Sequence, residues 1–161
     1  MKYQTLLLVA LFLVSACASE QAPSTEAPDA ATESAETYPT EVVISPVGDQ
    51  LKYATEAFTV KSGTTVTLIM DNVATLEAMQ HNVVILAAGA DVNAVGLASI
   101  QAGPDNGYIP ADPAVLFHTP MAKPGEKVQI EFTAPEPGEY PFICTFPGHY
   151  GVMKGVMTVV A

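Results

Sequence analysis

Cys144, His149 and Met153 fall within the ten residues CTFPGHYGVM near the C-terminus, in a Cys-x4-His-x3-Met spacing punctuated by Pro147, Gly148 and Gly151. A thiolate, an imidazole and a thioether differ in softness, and a transition metal is the partner that uses all three. The Phe146-Pro147-Gly148 turn can fold His149 and Met153 back toward the sulfur. One more strong ligand is needed, and His81 in the upstream segment MQHNVV offers it. Two imidazole nitrogens and a thiolate form a trigonal set, and a thioether at longer range completes the donor pattern of a blue-copper electron-transfer site. A soft thiolate favours Cu(I) and borderline imidazoles suit Cu(II), so such a set rearranges little between the two oxidation states.

Other chemistries can be weighed against this one. Cys144 and His149 could serve as nucleophile and base, but no third orienting group is evident, and a thiol at the end of a core-facing strand is poorly exposed to a substrate. A copper oxidase or reductase needs further ligands for a catalytic copper. The chain has three histidines, which leaves only His118, and that residue has no ligand spacing to the others and reads as a loop histidine. The same four donors could also hold zinc, or carry copper without redox turnover. Intense blue absorption with small EPR hyperfine splitting would separate electron transfer from both.

The elements that must position these residues follow a period of two. Val66, Leu68 and Met70 alternate with Thr65, Thr67 and Ile69; Val128, Ile130 and Phe132 alternate with Gln129, Glu131 and Thr133; Tyr140, Phe142 and Cys144 share one parity. Further strands are predicted at residues 41–45, 57–60, 81–86, 115–118 and 155–160, separated by turns such as Ser62-Gly63, Lys123-Pro124-Gly125 and Glu136-Pro137-Gly138. Seven or eight short strands predict an all-β Greek-key sandwich. The insertion between residues 87 and 113 breaks the pattern. There Asp91 is placed to cap a short helix through Gln101, with Val92, Val95 and Ser99 or Ile100 facing inward.

CTFPGHYGVMKG and MQHNVVIL resemble the ligand loop and upstream histidine segment of the azurins and of the azurin-like auracyanins, and HTPMAKPGEKVQIEFTAPEPGEYPFIC resembles the stretch that leads into that loop. The resemblance covers most of residues 65–160. It implies a cupredoxin β-sandwich holding one copper per chain, with His81, Cys144 and His149 as in-plane ligands and Met153 axial. It places the backbone carbonyl of Gln80 on the opposite axial side, a position that is glycine in azurin. It gives Asn82 the role of tying the two ligand segments together, with Thr145 as partner. The disulfide of azurins has no counterpart, because no cysteines beyond Cys17 and Cys144 are present to make it. The resemblance also implies redox protein partners such as cytochromes or oxidase or reductase complexes, and a monomer. The ring edge of His149 would be the electron's exit. Around it stand Met79, Pro147, Tyr150 and Val152, an uncharged docking patch on an otherwise acidic domain.

Residues 1–16 carry a basic Lys2, an apolar run from Leu6 to Val14 and small residues before Cys17, the pattern of an export signal too short to span a bilayer. Val14-Ser15-Ala16-Cys17 resembles the lipobox of bacterial lipoproteins, in which the cysteine takes the lipid. The chain has two cysteines, so Cys144 is then left without a disulfide partner in an oxidising compartment. Residues 17–40 are small, Pro-punctuated and acidic, with Glu20, Glu26, Asp29, Glu33 and Glu36 and no basic residue. They read as a disordered tether spanning on the order of 25 Å. The cupredoxin domain is residues 41–161. Formal net charge is −11 and the only cations are lysines, which argues against a nucleic-acid partner. The expected site of action is extracytoplasmic, on the periplasmic or cell-surface face of a membrane.

One outcome is expected of the anchor. Replacing Cys17 with Ser should move the protein out of the detergent phase on partitioning while leaving the domain folded; a Cys17→Ser protein that stays with the membrane would contradict the lipoprotein reading.

Overall fold

The computed structural model describes residues 37–161. The export signal, Cys17 and the tether as far as residue 36 lie outside the described residues. Eight strands form at the alternating segments: β1 (Glu41–Ile44), β2 (Ala57–Lys61), β3 (Thr65–Asp71), β4 (Val84–Leu86), β5 (Val115–His118), β6 (Lys127–Thr133), β7 (Gly138–Ile143) and β8 (Lys154–Val160). They build two sheets, ordered β1-β3-β6 and β2-β8-β7-β4-β5. The β1–β3 and β2–β8 pairings are parallel, and the remaining ladders are antiparallel. This is the expected all-β sandwich.

The alternation decides what the sheets enclose. Val66, Leu68 and Met70 of β3, Phe132 of β6, and Tyr140 and Phe142 of β7 join one buried cluster that also takes in Cys144 and Met153. Ile69, of the other parity, is buried as well. A second cluster of Val84, Leu86, Ile143 and Val95 packs helix α1 (Val92–Ala102) onto the outer face of the larger sheet, so β4 is buried on both faces. Asp91 caps α1 by accepting from the Asn93 and Ala94 N–H groups at 2.9 and 3.1 Å, as expected. Val95 and Ser99 face inward, whereas Ile100 is 42% exposed. Helix α1 carries no charged residue.

Two expectations are corrected. No strand begins at His81, because β4 starts only at Val84. His81 makes an isolated bridge to Ala122, and the Asn82 carbonyl goes to a tyrosine hydroxyl rather than to a neighbouring strand, so a regular ladder cannot extend through this segment. His118 is not in a loop. It ends β5 opposite Val84 with its side chain exposed, and it is not one of the three residues whose ligand atoms converge, His81, Cys144 and His149.

The β7–β8 register, from Gly138↔Val159 to Ile143↔Lys154, leaves Cys144 and Met153 facing each other at the mouth of the hairpin, where the Cys144 N–H donates to the Met153 carbonyl at 3.0 Å. The motif residues 144–153 are therefore the hairpin loop. Close packing continues inside the hairpin at Gly155, where a Cβ would collide with the Phe142 ring and the Glu56 carbonyl oxygen. Gly155→Ala should cost about 1–3 kcal/mol in urea denaturation. Gly151→Ala, where a Cβ meets nothing within 4 Å, is the control and should shift the midpoint far less.

Candidate metal centre

The two segments that hold the chemistry enter the same end of the sandwich from different directions. His149 and Met153 arrive on the hairpin loop, which is tightened by three local bonds: His149 N–H to Phe146 carbonyl at 3.0 Å, Val152 N–H to His149 carbonyl at 3.1 Å, and Met153 N–H to the same carbonyl at 2.8 Å. His81 arrives on the segment before β4, its N–H donating to the Ala122 carbonyl at 3.0 Å and its carbonyl accepting from the Ala122 N–H at 2.8 Å. The buried Asn72 side chain donates to the Met79 carbonyl at 2.8 Å and to the Ala122 carbonyl at 3.0 Å. Asp49 accepts from the Thr75 and Leu76 N–H groups at 2.7 and 3.0 Å. Those backbone hydrogen bonds hold the Asp49 carboxyl below its usual range.

His81, Cys144 and His149 converge. The Cys144 Sγ lies 3.8 Å from His81 Nδ1 and 3.6 Å from His149 Nδ1, and the ligand atoms all fall within 4.8 Å of one another. Metal–nitrogen and metal–sulfur bonds of about 2.0 and 2.3 Å at trigonal angles separate nitrogen from sulfur by about 3.7 Å, so the donor spacing fits a bound ion. The imidazole rings stand 5.1 Å apart, centre to centre. Met153 is wholly buried beside them in the core. Gln80, half-buried, immediately precedes His81.

Burial sets the protonation of the donors. It pushes the Cys144 thiol up to about 11, against the opposing pull of N–H groups from Asn82 and Phe146 and of the Tyr53 hydroxyl. It pushes His81 down to about 4, assisted by the neighbouring His149, and lowers His149 as well. At neutral pH the two rings are neutral and ready to offer a lone pair, and an incoming metal has only the thiol proton to displace. His81 Nε2 is buried without a hydrogen-bond partner among the described residues.

The expected tie between the two segments is present in both directions. Asn82 Nδ2 donates to Thr145 Oγ1 at 2.8 Å, and the Thr145 N–H donates to Asn82 Oδ1 at 2.9 Å. Helix α1 adds a clamp that sequence reasoning missed. Ser99 Oγ reaches the Thr145 carbonyl at 3.2 Å, and Gly96 lies so close under the Tyr150 ring that a Cβ there would collide with it. Tyr150 is thus half-buried against α1. Of the other suggested patch residues, Val152 is 59% exposed, while Met79 and Pro147 are half-buried. His149 keeps 5% of its surface open, with the Phe146 ring 4.8 Å from its own. Tyr53, Asn72 and Thr119, all buried, were also missed. Each is a lone polar residue in an unremarkable stretch, and no spacing links it to a ligand.

Compared with known proteins, residues 40–160 match the model of copper binding proteins, plastocyanin/azurin family. The chain is 36% identical over 123 residues to auracyanin-A of Chloroflexus aurantiacus, covering 75% of each chain. It is 36% identical over 118 residues to azurin of Pseudomonas aeruginosa, covering 69% of this chain and 79% of that one. A dithionite-reduced auracyanin from Roseiflexus castenholzii superposes with a TM-score of 0.71 at 44% identity, over 78% of this chain and 100% of that one. The strands, the converging donors and these likenesses agree, and the chain belongs to the plastocyanin/azurin family of copper-binding proteins.

Proposed function

We propose that this chain is a mononuclear blue-copper electron carrier, whose one copper would be held by His81, Cys144 and His149 with Met153 as the weaker fourth donor. The observation that carries this reading is the approach of two imidazole Nδ1 atoms to one thiol sulfur at 3.6–3.8 Å in a buried site. Copper, when bound, supplies a one-electron couple between Cu(I) and Cu(II). The protein's part is to fix the donors so that neither oxidation state gains by moving them. The paired bonds between Asn82 and Thr145 hold the two ligand segments in register, and the buried Met153 and Phe142 exclude water from the sulfur. Auracyanin A of Chloroflexus aurantiacus is described as a "blue" copper protein, which supports the same reading here. A thiol held up to about 11 by burial is a poor nucleophile, which weighs against the enzyme alternative. A copper carrier without redox turnover would use the same donors, and the spectrum of the loaded protein decides between them.

The electron's exit is the edge of His149, and the docking patch is the uncharged set of exposed Val152 and half-buried Met79 and Pro147, with Tyr150 packed against α1. Uncharged groups permit close approach without desolvating ions, and a small contact releases quickly. The partners are redox proteins, of the kind represented by cytochromes and oxidase or reductase complexes. The chain acts as a monomer outside the cytoplasmic membrane, anchored through Cys17 and its acidic tether.

Two measurements test this. Copper loading of the wild-type domain should produce an intense blue band with small EPR hyperfine splitting, and Cys144→Ser should remove the band completely, because the charge transfer originates on sulfur; a colourless wild type, or a blue Cys144→Ser protein, would refute the assignment. Val152→Asp should slow electron self-exchange, read by NMR line broadening, by about tenfold or more with the blue spectrum almost unchanged. Rates equal to wild type would put the exit elsewhere.

A further inference from the structure

Tyr53 has no part in the ligand set, yet it is wholly buried at the site. It lies between β1 and β2, fixed by an isolated bridge to Pro46, with its ring against Phe142 at 5.6 Å. Its hydroxyl donates to the Asn82 carbonyl at 2.5 Å and faces the Cys144 sulfur. A phenylalanine would fill the same space. The hydroxyl therefore needs its own explanation, since a buried polar group is costly unless its bond is made.

The next peptide group explains it. The amide joining Asn82 to Val83 is held at both ends: Tyr53 binds its carbonyl at 2.5 Å, and the Thr119 hydroxyl accepts from its N–H at 3.0 Å. Thr119 is also buried, and its own N–H donates to the Val83 carbonyl at 3.0 Å. The Asn82 side chain is committed to Thr145, and its N–H is directed at the Cys144 sulfur.

We propose that Tyr53, with Thr119 opposite it, is a positioning residue of the redox centre: it locks the Asn82 main chain so that the Asn82 N–H stays aimed at the Cys144 sulfur and the His81 ring stays in place beside it. This rests on the blue-copper reading. Donation to the sulfur draws electron density from the thiolate and so favours the reduced ion; loosening the Asn82 segment weakens that donation and favours the oxidised one.

Tyr53→Phe tests it in two states of the protein. In the metal-free form, hydrogen exchange at the Val83 and Thr145 amides should accelerate about tenfold beyond any change at Leu68 in the core of β3. In the copper-loaded form, the blue band should persist, and the equilibrium constant for reduction against a reference couple should fall about three- to tenfold. Phe58→Leu is the control. Phe58 packs on the same Phe142 ring, 5.5 Å away, so this variant should lose stability while leaving the equilibrium constant at its wild-type value. If Tyr53→Phe does not fold, Thr119→Val removes the bond on the other side of the same peptide and should act in the same direction. An unchanged equilibrium constant with unchanged local exchange overturns the proposal while leaving the copper assignment intact. A wild type without a blue band overturns the assignment, and the metal-free exchange still reports on Tyr53.

Discussion

Asn82 spends every polar group it has on holding two distant parts of the chain together. Its side-chain amide reads Thr145 in both directions, its carbonyl takes the Tyr53 hydroxyl, and its N–H faces the Cys144 sulfur. All three partner residues and Asn82 itself are buried, where each bond is stronger than in water and each broken one is costly. The geometry of the centre depends on this residue more than on any ligand, since a ligand supplies an atom whereas Asn82 fixes where two of those atoms stand. The strand expected at residues 81–83 is given up to serve that arrangement.

The second constraint is the low-dielectric setting of the donors. A thiol and two imidazoles at the end of a hydrophobic cluster stay uncharged unless a cation arrives, so the fold stores a site that is electrically silent by itself. Rigidity comes from both sides of the larger sheet. On the inner side Phe142 packs at a tilt against Tyr53 and Phe58. On the outer side α1 presses Gly96 against Tyr150 and hooks Thr145 through Ser99. The insertion that interrupts the strand pattern is thus a brace for the hairpin loop. Its outer surface is uncharged, with Leu97 58% exposed.

Much of this could be read from the sequence because it is local. Period-two alternation located the strands, the Asp91 cap announced α1, and the Cys-x4-His-x3-Met spacing compressed most of the donor set into one loop. The need for one more strong donor then pointed to His81, and the likeness to azurins brought in the Asn82–Thr145 pair. What could not be read is contact between segments far apart in sequence. Nothing in LKYAT marks Tyr53 as a neighbour of Asn82, 29 positions away, and nothing in a neutral helix marks Ser99 as a partner of Thr145, 46 positions away. His118 misled for the opposite reason. The 115–118 pattern already marks a strand, yet a histidine without ligand spacing reads as a loop residue; the edge strand β5 carries its ring on the solvent side without any demand on the core.

The placement of the donors along the chain has a consequence for how metal and folding meet. Cys144 and His149 are five positions apart, whereas His81 and Cys144 are separated by 63. Closing the longer loop costs about 2 kcal/mol more in chain entropy than closing the shorter one. A nascent or denatured chain therefore already carries a sulfur, an imidazole and a thioether close enough to chelate a soft cation, while lacking the fourth donor until the sandwich has assembled. Copper captured early rides on an open chelate, and affinity for the unfolded chain subtracts from whatever stabilisation the ion gives the folded one. The increment that belongs to the native state alone is that of His81, the one ligand that only the complete fold can deliver.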